Sequence, residues 1–199
     1  MWKERGEILP DFSKFNWGIT MHVCPWWLAY TFDNSLRRML DPVDEALSKW
    51  VKPGMTVLDF GCGFGHYSIG MAKLVGKSGK VVAVDLQDKM LEMMMKRAAK
   101  AGVADIIYPH KSDPLRIGYT GKVDFAVSGH VLHEAPDLRE SLREIFSLLK
   151  LGGGFYFTEP RMHVSDKFFS EELAAAEKIG FSVTKLPSVL LANRAYLAK

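Results

Sequence analysis

From residue 53 onward, short unbroken apolar runs alternate with longer segments whose apolar residues recur every three or four positions. MTVLDF (55–60), KVVAVD (80–85), DIIYPH (105–110), KVDFAVSG (122–129) and FYFTE (155–159) have the length and β-branched content of strands. Between them, HYSIGMAKLVG (66–76), QDKMLEMMMKRAAKAG (87–102) and PDLRESLREIFSLLKLGGG (136–154) carry helical periodicity. In the second helix Leu91, Met94, Met95 and Ala98 form the stripe; in the third, Leu138, Leu142, Ile145, Phe146 and Leu149 do. Pro136 and Asp137 open that third helix, and Gly152 to Gly154 lie past its expected end. Strands without polar alternation are buried on both faces, and strand–helix alternation implies parallel pairing through crossovers. The expected fold is therefore α/β, a doubly wound sheet covered by helices on each side.

The end of the chain breaks the alternation. SEELAAAEKIG (170–180) reads as a helix, and FSVTKLPSVLLANRAYLAK (181–199) as two strands with a short connection. An antiparallel hairpin at the sheet edge fits, because Pro187 is tolerated on an edge strand. Residues 1–50 form a separate, aromatic-rich piece, expected to be helical and to serve as a lid, a dimerisation element or extra core. Residues 51–199 form the sheet domain.

A chain of 199 residues suits one compact core. It has no run of eighteen apolar residues, so no membrane span is expected. The N-terminal MWKERGEILPDFSKF lacks the charged-then-apolar order of a secretory signal. Two cysteines, Cys24 and Cys62, stand far apart and outside any CxxC spacing, which fits a reduced, cytoplasmic protein without a metal site. The net charge of +3 comes from scattered basic residues and argues against nucleic acid as partner.

The stretch TVLDFGCGFGHYS (56–68) concentrates the functional signal. Gly61, Gly63 and Gly65 follow the first strand, where ligands bind in open parallel sheets, and they permit close backbone approach. The dinucleotide pattern G-x-G-x-x-G fails because His66 stands where its last glycine belongs. Asp59 before the loop would repel a pyrophosphate but welcome an ammonium group. S-adenosylmethionine carries an ammonium, a sulfonium and no phosphate. Asp85, at the end of the second strand, can accept from both ribose hydroxyls, and Asp113 beyond the third strand can accept from the adenine amino group. Each acid also has a plainer reading, as a helix cap or turn residue.

With those residues in place, the sequence resembles the class I S-adenosylmethionine-dependent methyltransferases. The matching segments are VLDFGCGFG (57–65), VVAVDLQ (81–87), SDPL (112–115), VDFAVSGHVLHEAPD (123–137) and LLKLGGGFYFTE (148–159). HVLHEAPD and LKLGGG look most like the small-molecule branch that includes quinone-biosynthesis and arsenite methyltransferases. The resemblance implies a Rossmann-like sheet of seven strands with the last antiparallel. It also implies cofactor contacts from Gly61, Gly63, Gly65, Asp85 with Leu86, Asp113 with Pro114, and Ser128, with S-adenosylhomocysteine as product. Arsenite methyltransferases use several cysteines, which this chain lacks, and no N/D-P-P-Y follows the fourth strand.

Methyl transfer needs alignment and, where the acceptor carries a proton, a base. His133 and Glu134, after the fourth strand, are the candidate catalytic residues; a loop histidine bonded to backbone is the competing reading. Trp26, Tyr30, His130 and Glu159 are candidate substrate-pocket residues, although Trp26 and Tyr30 can equally be core. The expected reaction is in-line methyl transfer to a small-molecule acceptor. A methyltransferase acting on RNA or protein, and a non-catalytic module that senses the cofactor, are the alternatives. The oligomeric state stays open, a homodimer being one option.

Overall fold

The computed structural model describes residues 24–28, 43–189 and 192–199. Strands β1 (Thr56–Phe60), β2 (Lys80–Asp85), β3 (Ile107–Lys111), β4 (Val123–Gly129), β5 (Leu149–Pro160), β6 (Ser182–Val189) and β7 (Ala192–Ala198) form one sheet in the order β3-β2-β1-β4-β5-β7-β6. β1 to β5 pair in parallel, while β7 runs antiparallel to both β5 and β6. The expected seven-stranded α/β sheet is present. The expected edge hairpin is present too: its second strand inserts beside β5, and β6 takes the edge. Pro187 sits there, within the register break between Leu186 and Val189.

Helices α1 (Val43–Leu47), α2 (His66–Val75), α3 (Asp88–Lys100), α4 (Leu138–Leu148) and α5 (Asp166–Ile179) cover the sheet. Alternate strand residues serve the two faces. Val57, Val81, Ala83, Phe125, Val127 and Tyr156 pack with residues of α1, α2 and α3. Leu58, Val82, Val84, Ala126, Phe155 and Phe157 pack with residues of α4 and α5. This parity fixes which face each functional side chain joins at the top of the sheet.

One boundary departs from the sequence reading. The helix expected over 136–154 ends at Leu148, and Leu149 begins β5 opposite Val123. The three glycines are not what stops the helix. They continue the strand, with Gly154 opposite both Phe125 and Ala198, Gly152 N–H donating to Lys199 O, and Lys199 N–H donating to Gly153 O. Local helix-stop chemistry lost to long-range strand pairing. At the other end Asp137 caps α4 by accepting from Glu140 N–H. The helix read over 170–180 starts earlier, where Ser165 accepts from Phe168 N–H.

Candidate functional site

The loop after β1 is folded onto β2: Gly61 and Cys62 N–H both donate to Val84 O, at 2.9 and 2.8 Å. Its three glycines have distinct reasons. A Cβ at Gly61 would lie 2.3 Å from Val131 Cγ2, and one at Gly65 would lie 2.7 Å from Met94 Cγ. Those two glycines make room for neighbouring side chains. At Gly63, with φ +52, a Cβ would meet nothing within 4 Å. Gly63 is thus the one loop glycine that leaves open space where a ligand can approach the backbone.

Asp85 is held over this loop. Its Oδ2 accepts from Gly63 N–H and its Oδ1 from Gln87 N–H, each at 2.9 Å. Burial pushes the Asp85 carboxyl up, opposed by the N–H groups of Gln87, Gly63 and Leu86. Asp59 is also buried, and Ser68 Oγ on α2 donates to its Oδ2 at 2.5 Å. The α2 face of β1 therefore fixes the Asp59 carboxylate below the loop. Asp113 stands apart: it is exposed, with Oδ1 accepting from Leu115 N–H and its backbone paired with Arg116. The turn geometry alone accounts for Asp113 and the exposed Pro114. Ser128, next to last in β4, is fully buried, and its Oγ has no hydrogen-bond partner among the described residues.

Beyond β4, His130 takes a left-handed conformation (φ 63) while its N–H donates to Thr158 O at 2.8 Å. A non-glycine residue there carries strain. It turns the chain into a 3-10 segment, Leu132–Glu134. That turn packs Val131 over Gly61, buries Leu132 and brings His133 to the end of β5. His133 Nδ1 lies 2.5 Å from Glu159 Oε2. Among the described residues, its Nε2 has a loose neighbour in Glu134 Oε1 at 3.9 Å. Burial lowers the His133 pKa, but the hydrogen bond and charge of Glu159, with the charge of Glu134, outweigh it and raise the value overall. Burial likewise pushes Glu159 up, opposed by His133 and by the nearby N–H groups of His133 and Leu132. Because those amides favour the carboxylate, the shared proton belongs on His133 Nδ1.

Glu134 does something else. Its Oε2 accepts from Cys24 N–H at 3.1 Å. Cys24 O in turn accepts from Gln87 Nε2 at 2.9 Å, and Trp26 N–H donates to Gln87 Oε1 at 3.1 Å. Gln87 follows β2 and Glu134 follows β4, with β1 between them in the sheet. Residues 24–28 therefore strap across the mouth of the glycine loop. Trp26, 36 % exposed, lies on the β2 side, where Lys89 Nζ sits 5.8 Å from its ring. Tyr30 lies outside the described residues, as does most of the N-terminal piece.

The structure thus brings Gly63 and Asp85 into direct contact, joins His133 to Glu159, and uses Glu134 as an anchor. Sequence reasoning missed Gln87, Ser68 and Glu172. Glu172 had a visible signal, since it interrupts the buried stripe of α5 between Phe169 and Ala175. Among the described residues, no group of three or more His, Cys, Asp or Glu side chains could hold a metal ion, and no helix is long and apolar enough to cross a membrane.

Comparisons with known proteins bear on the family and the fold. A family model described as a methyltransferase domain matches residues 51–189. A demethylmenaquinone methyltransferase of Lactococcus lactis is 29% identical over 146 residues, 73% of this chain and 52% of that protein. An arsenite methyltransferase of Aquipseudomonas alcaligenes is 32% identical over 136 residues, 64% of this chain and 39% of that protein. The chain spans about half the length of the curated relatives it matches. Among solved structures, a SAM-dependent methyltransferase from Aquifex aeolicus superimposes with a TM-score of 0.79 at 24% identity, covering 88% of this chain and 99% of that one.

Proposed function

Because the chain belongs to the class I S-adenosylmethionine-dependent methyltransferases, we propose that it methylates a small-molecule acceptor and that His133 receives the acceptor's proton. The observation that carries the second half is the His133–Glu159 pair at the C-terminal ends of β4 and β5. Glu159 fixes the imidazole with Nδ1–H toward itself, leaving the Nε2 lone pair for a substrate proton. The positive imidazolium that results is stabilised by the Glu159 carboxylate already in place.

The residues at the loop suit the cofactor. Gly63 leaves open backbone, Asp85 ends β2 as a buried acid with both oxygens oriented by amides, and Ser128 Oγ is a buried hydroxyl without a partner among the described residues. Gly63, Asp85 with Leu86, and Ser128 would hold S-adenosylmethionine, with Asp59 supplying a negative field below the loop. When bound, the cofactor supplies an electrophilic methyl group on a sulfonium. Asp113 and Pro114 would border its adenine end. The strap at residues 24–28 would close over it and exclude water, which keeps the lid role for the N-terminal piece.

An aromatic acceptor of the quinone-like kind, bearing an acidic O–H or C–H, fits a base held in this way. The similarity to a demethylmenaquinone methyltransferase of Lactococcus lactis and a 2-phytyl-1,4-naphtoquinone methyltransferase of Synechococcus elongatus supports the same class. A metalloid acceptor fits less well, because the two thiols in the chain lie in the strap and inside the glycine loop, the latter buried. Incubating the protein and methyl-labelled S-adenosylmethionine with a metabolite extract tests the reading. Label should enter an organic-soluble small molecule, and His133→Asn should slow that entry by roughly 10²-fold or more. Label in RNA or protein would overturn the acceptor class. No label in any fraction would favour a cofactor sensor.

A further inference from the structure

α5 lays Phe169, Glu172, Ala175 and Ala176 against the sheet, with the Phe169 and Phe157 rings 5.4 Å apart. Phe155, Phe157 and Glu159 share the face of β5 that α5 covers, because strand side chains alternate. Helical side chains lean toward their own N-terminus, which here carries Glu172 up toward the C-terminal end of β5. Glu159 and Glu172 are both completely buried. Glu159 Oε2 is bonded to His133, but Glu159 Oε1 and both Glu172 oxygens have no partner. Two wholly buried carboxyl groups on the same covered side of the sheet, near enough for the Glu159 charge to act on Glu172, cannot both be ionised without severe repulsion.

We propose that Glu172 is a positioning residue of the His133 base: its carboxyl O–H supplies, directly or through one bridging water, the hydrogen bond that Glu159 Oε1 lacks. The chain of contacts then runs from Glu172 O–H to Glu159 Oε1, and from His133 Nδ1–H to Glu159 Oε2. Protons balance simply. Glu172 keeps its proton throughout, the acceptor's proton goes to His133 Nε2, and it leaves from there to solvent. Burial, then the charge of Glu159, pushes the Glu172 carboxyl up to about 9, so it holds a proton to donate at neutral pH. Among the described residues, the other polar groups near the relay are Glu134, His163, Asp166 and Lys185. Glu134 flanks His133, the His163 ring stands 6.3 Å from the His133 ring, and Asp166 is tied up by Asn193 Nδ2. Lys185 on β6 sits over Phe169 at 5.7 Å. The inference rests on His133 serving as base, but its test needs neither cofactor nor acceptor.

A donor on Glu159 Oε1 draws charge away from Oε2 and so makes His133 less basic. The histidine pKa is to be followed by ¹⁵N NMR in the unsubstituted chain, in Glu172→Gln, whose amide can donate in the same place, and in Glu172→Met, which cannot. The Met variant should raise the His133 pKa by about one pH unit, while the Gln variant should stay within about a quarter of a unit of the parent. An unchanged value in the Met variant, or an equal rise in both, would make Glu172 a passive core acid. A ¹³C titration of Glu172 in the unsubstituted chain needs no variant to fold: a neutral carboxyl at pH 7 is required, and an ionised one overturns the proposal. Titration with S-adenosylhomocysteine judges the methyl-transfer reading separately, so the two can fail independently.

Discussion

Replacing Glu172 by Gln should stabilise the protein, and the gain should depend on pH in a defined direction. In the folded chain the Glu172 carboxyl is raised from 4.5 to about 9 by burial and by the Glu159 charge. A group whose folded pKa is raised contributes stability that is fully present below its unfolded pKa and lost as pH rises toward the folded value. The window here runs from about 4.5 to about 9. At pH 7 the unfolded chain gains from ionising Glu172 and the folded chain does not. Two and a half pH units at about 1.4 kcal/mol each make that difference roughly 3–4 kcal/mol. Glutamine has nearly the same shape and never ionises, so Glu172→Gln removes the penalty. Urea unfolding of both chains should show no difference near pH 4.5 and a gain of roughly 3–4 kcal/mol at pH 7, or roughly 6–16 °C in Tm. A difference of the same size at both pH values would refute the reasoning, because packing rather than proton linkage would then explain it. The parent chain would thus carry a destabilising acid beside a candidate base, as expected where a residue serves chemistry rather than stability.

Other outcomes follow from the same geometry. Glu159→Gln removes the charge that raises His133, so the acid limb of the pH–rate profile should move to lower pH while kcat falls by roughly 10²-fold or more; an unmoved limb would exclude Glu159 as its cause. Gly61→Ala places a Cβ 2.3 Å from Val131 Cγ2 at a φ of +73, and should cost roughly 2–4 kcal/mol in chemical unfolding. Glu134→Ala releases Cys24 N–H from the strap; stopped-flow measurement should show faster S-adenosylhomocysteine release, with the His133 titration shifted only slightly downward by the lost charge.

The order of strands and helices was legible because buried strands and amphipathic helices have different periods, and each was long enough to count. That the glycine loop and Asp85 lie side by side was legible, because they follow and end neighbouring strands of a parallel sheet. What the sequence did not show shares a cause in contacts distant along the chain. LKLGGG looks like a helix stop, yet pairing of Gly154 with Phe125 and Ala198 makes it a strand. Gly61 looks like a ligand-facing glycine, yet Val131, seventy residues away, occupies that space. Glu134 looks like a partner of His133 in catalysis, yet Cys24, 110 residues earlier, takes its oxygen. Glu172 was visible as an acid on an apolar stripe, but not that it would be buried on the same side of the sheet as Glu159.

Isothermal titration with S-adenosylhomocysteine tests the cofactor site most directly. Binding should be micromolar or tighter, it should vanish in Asp85→Ala and weaken in Asp59→Ala, and a dinucleotide should give no heat. A chain that ignored S-adenosylhomocysteine while binding a dinucleotide would contradict the account at its base.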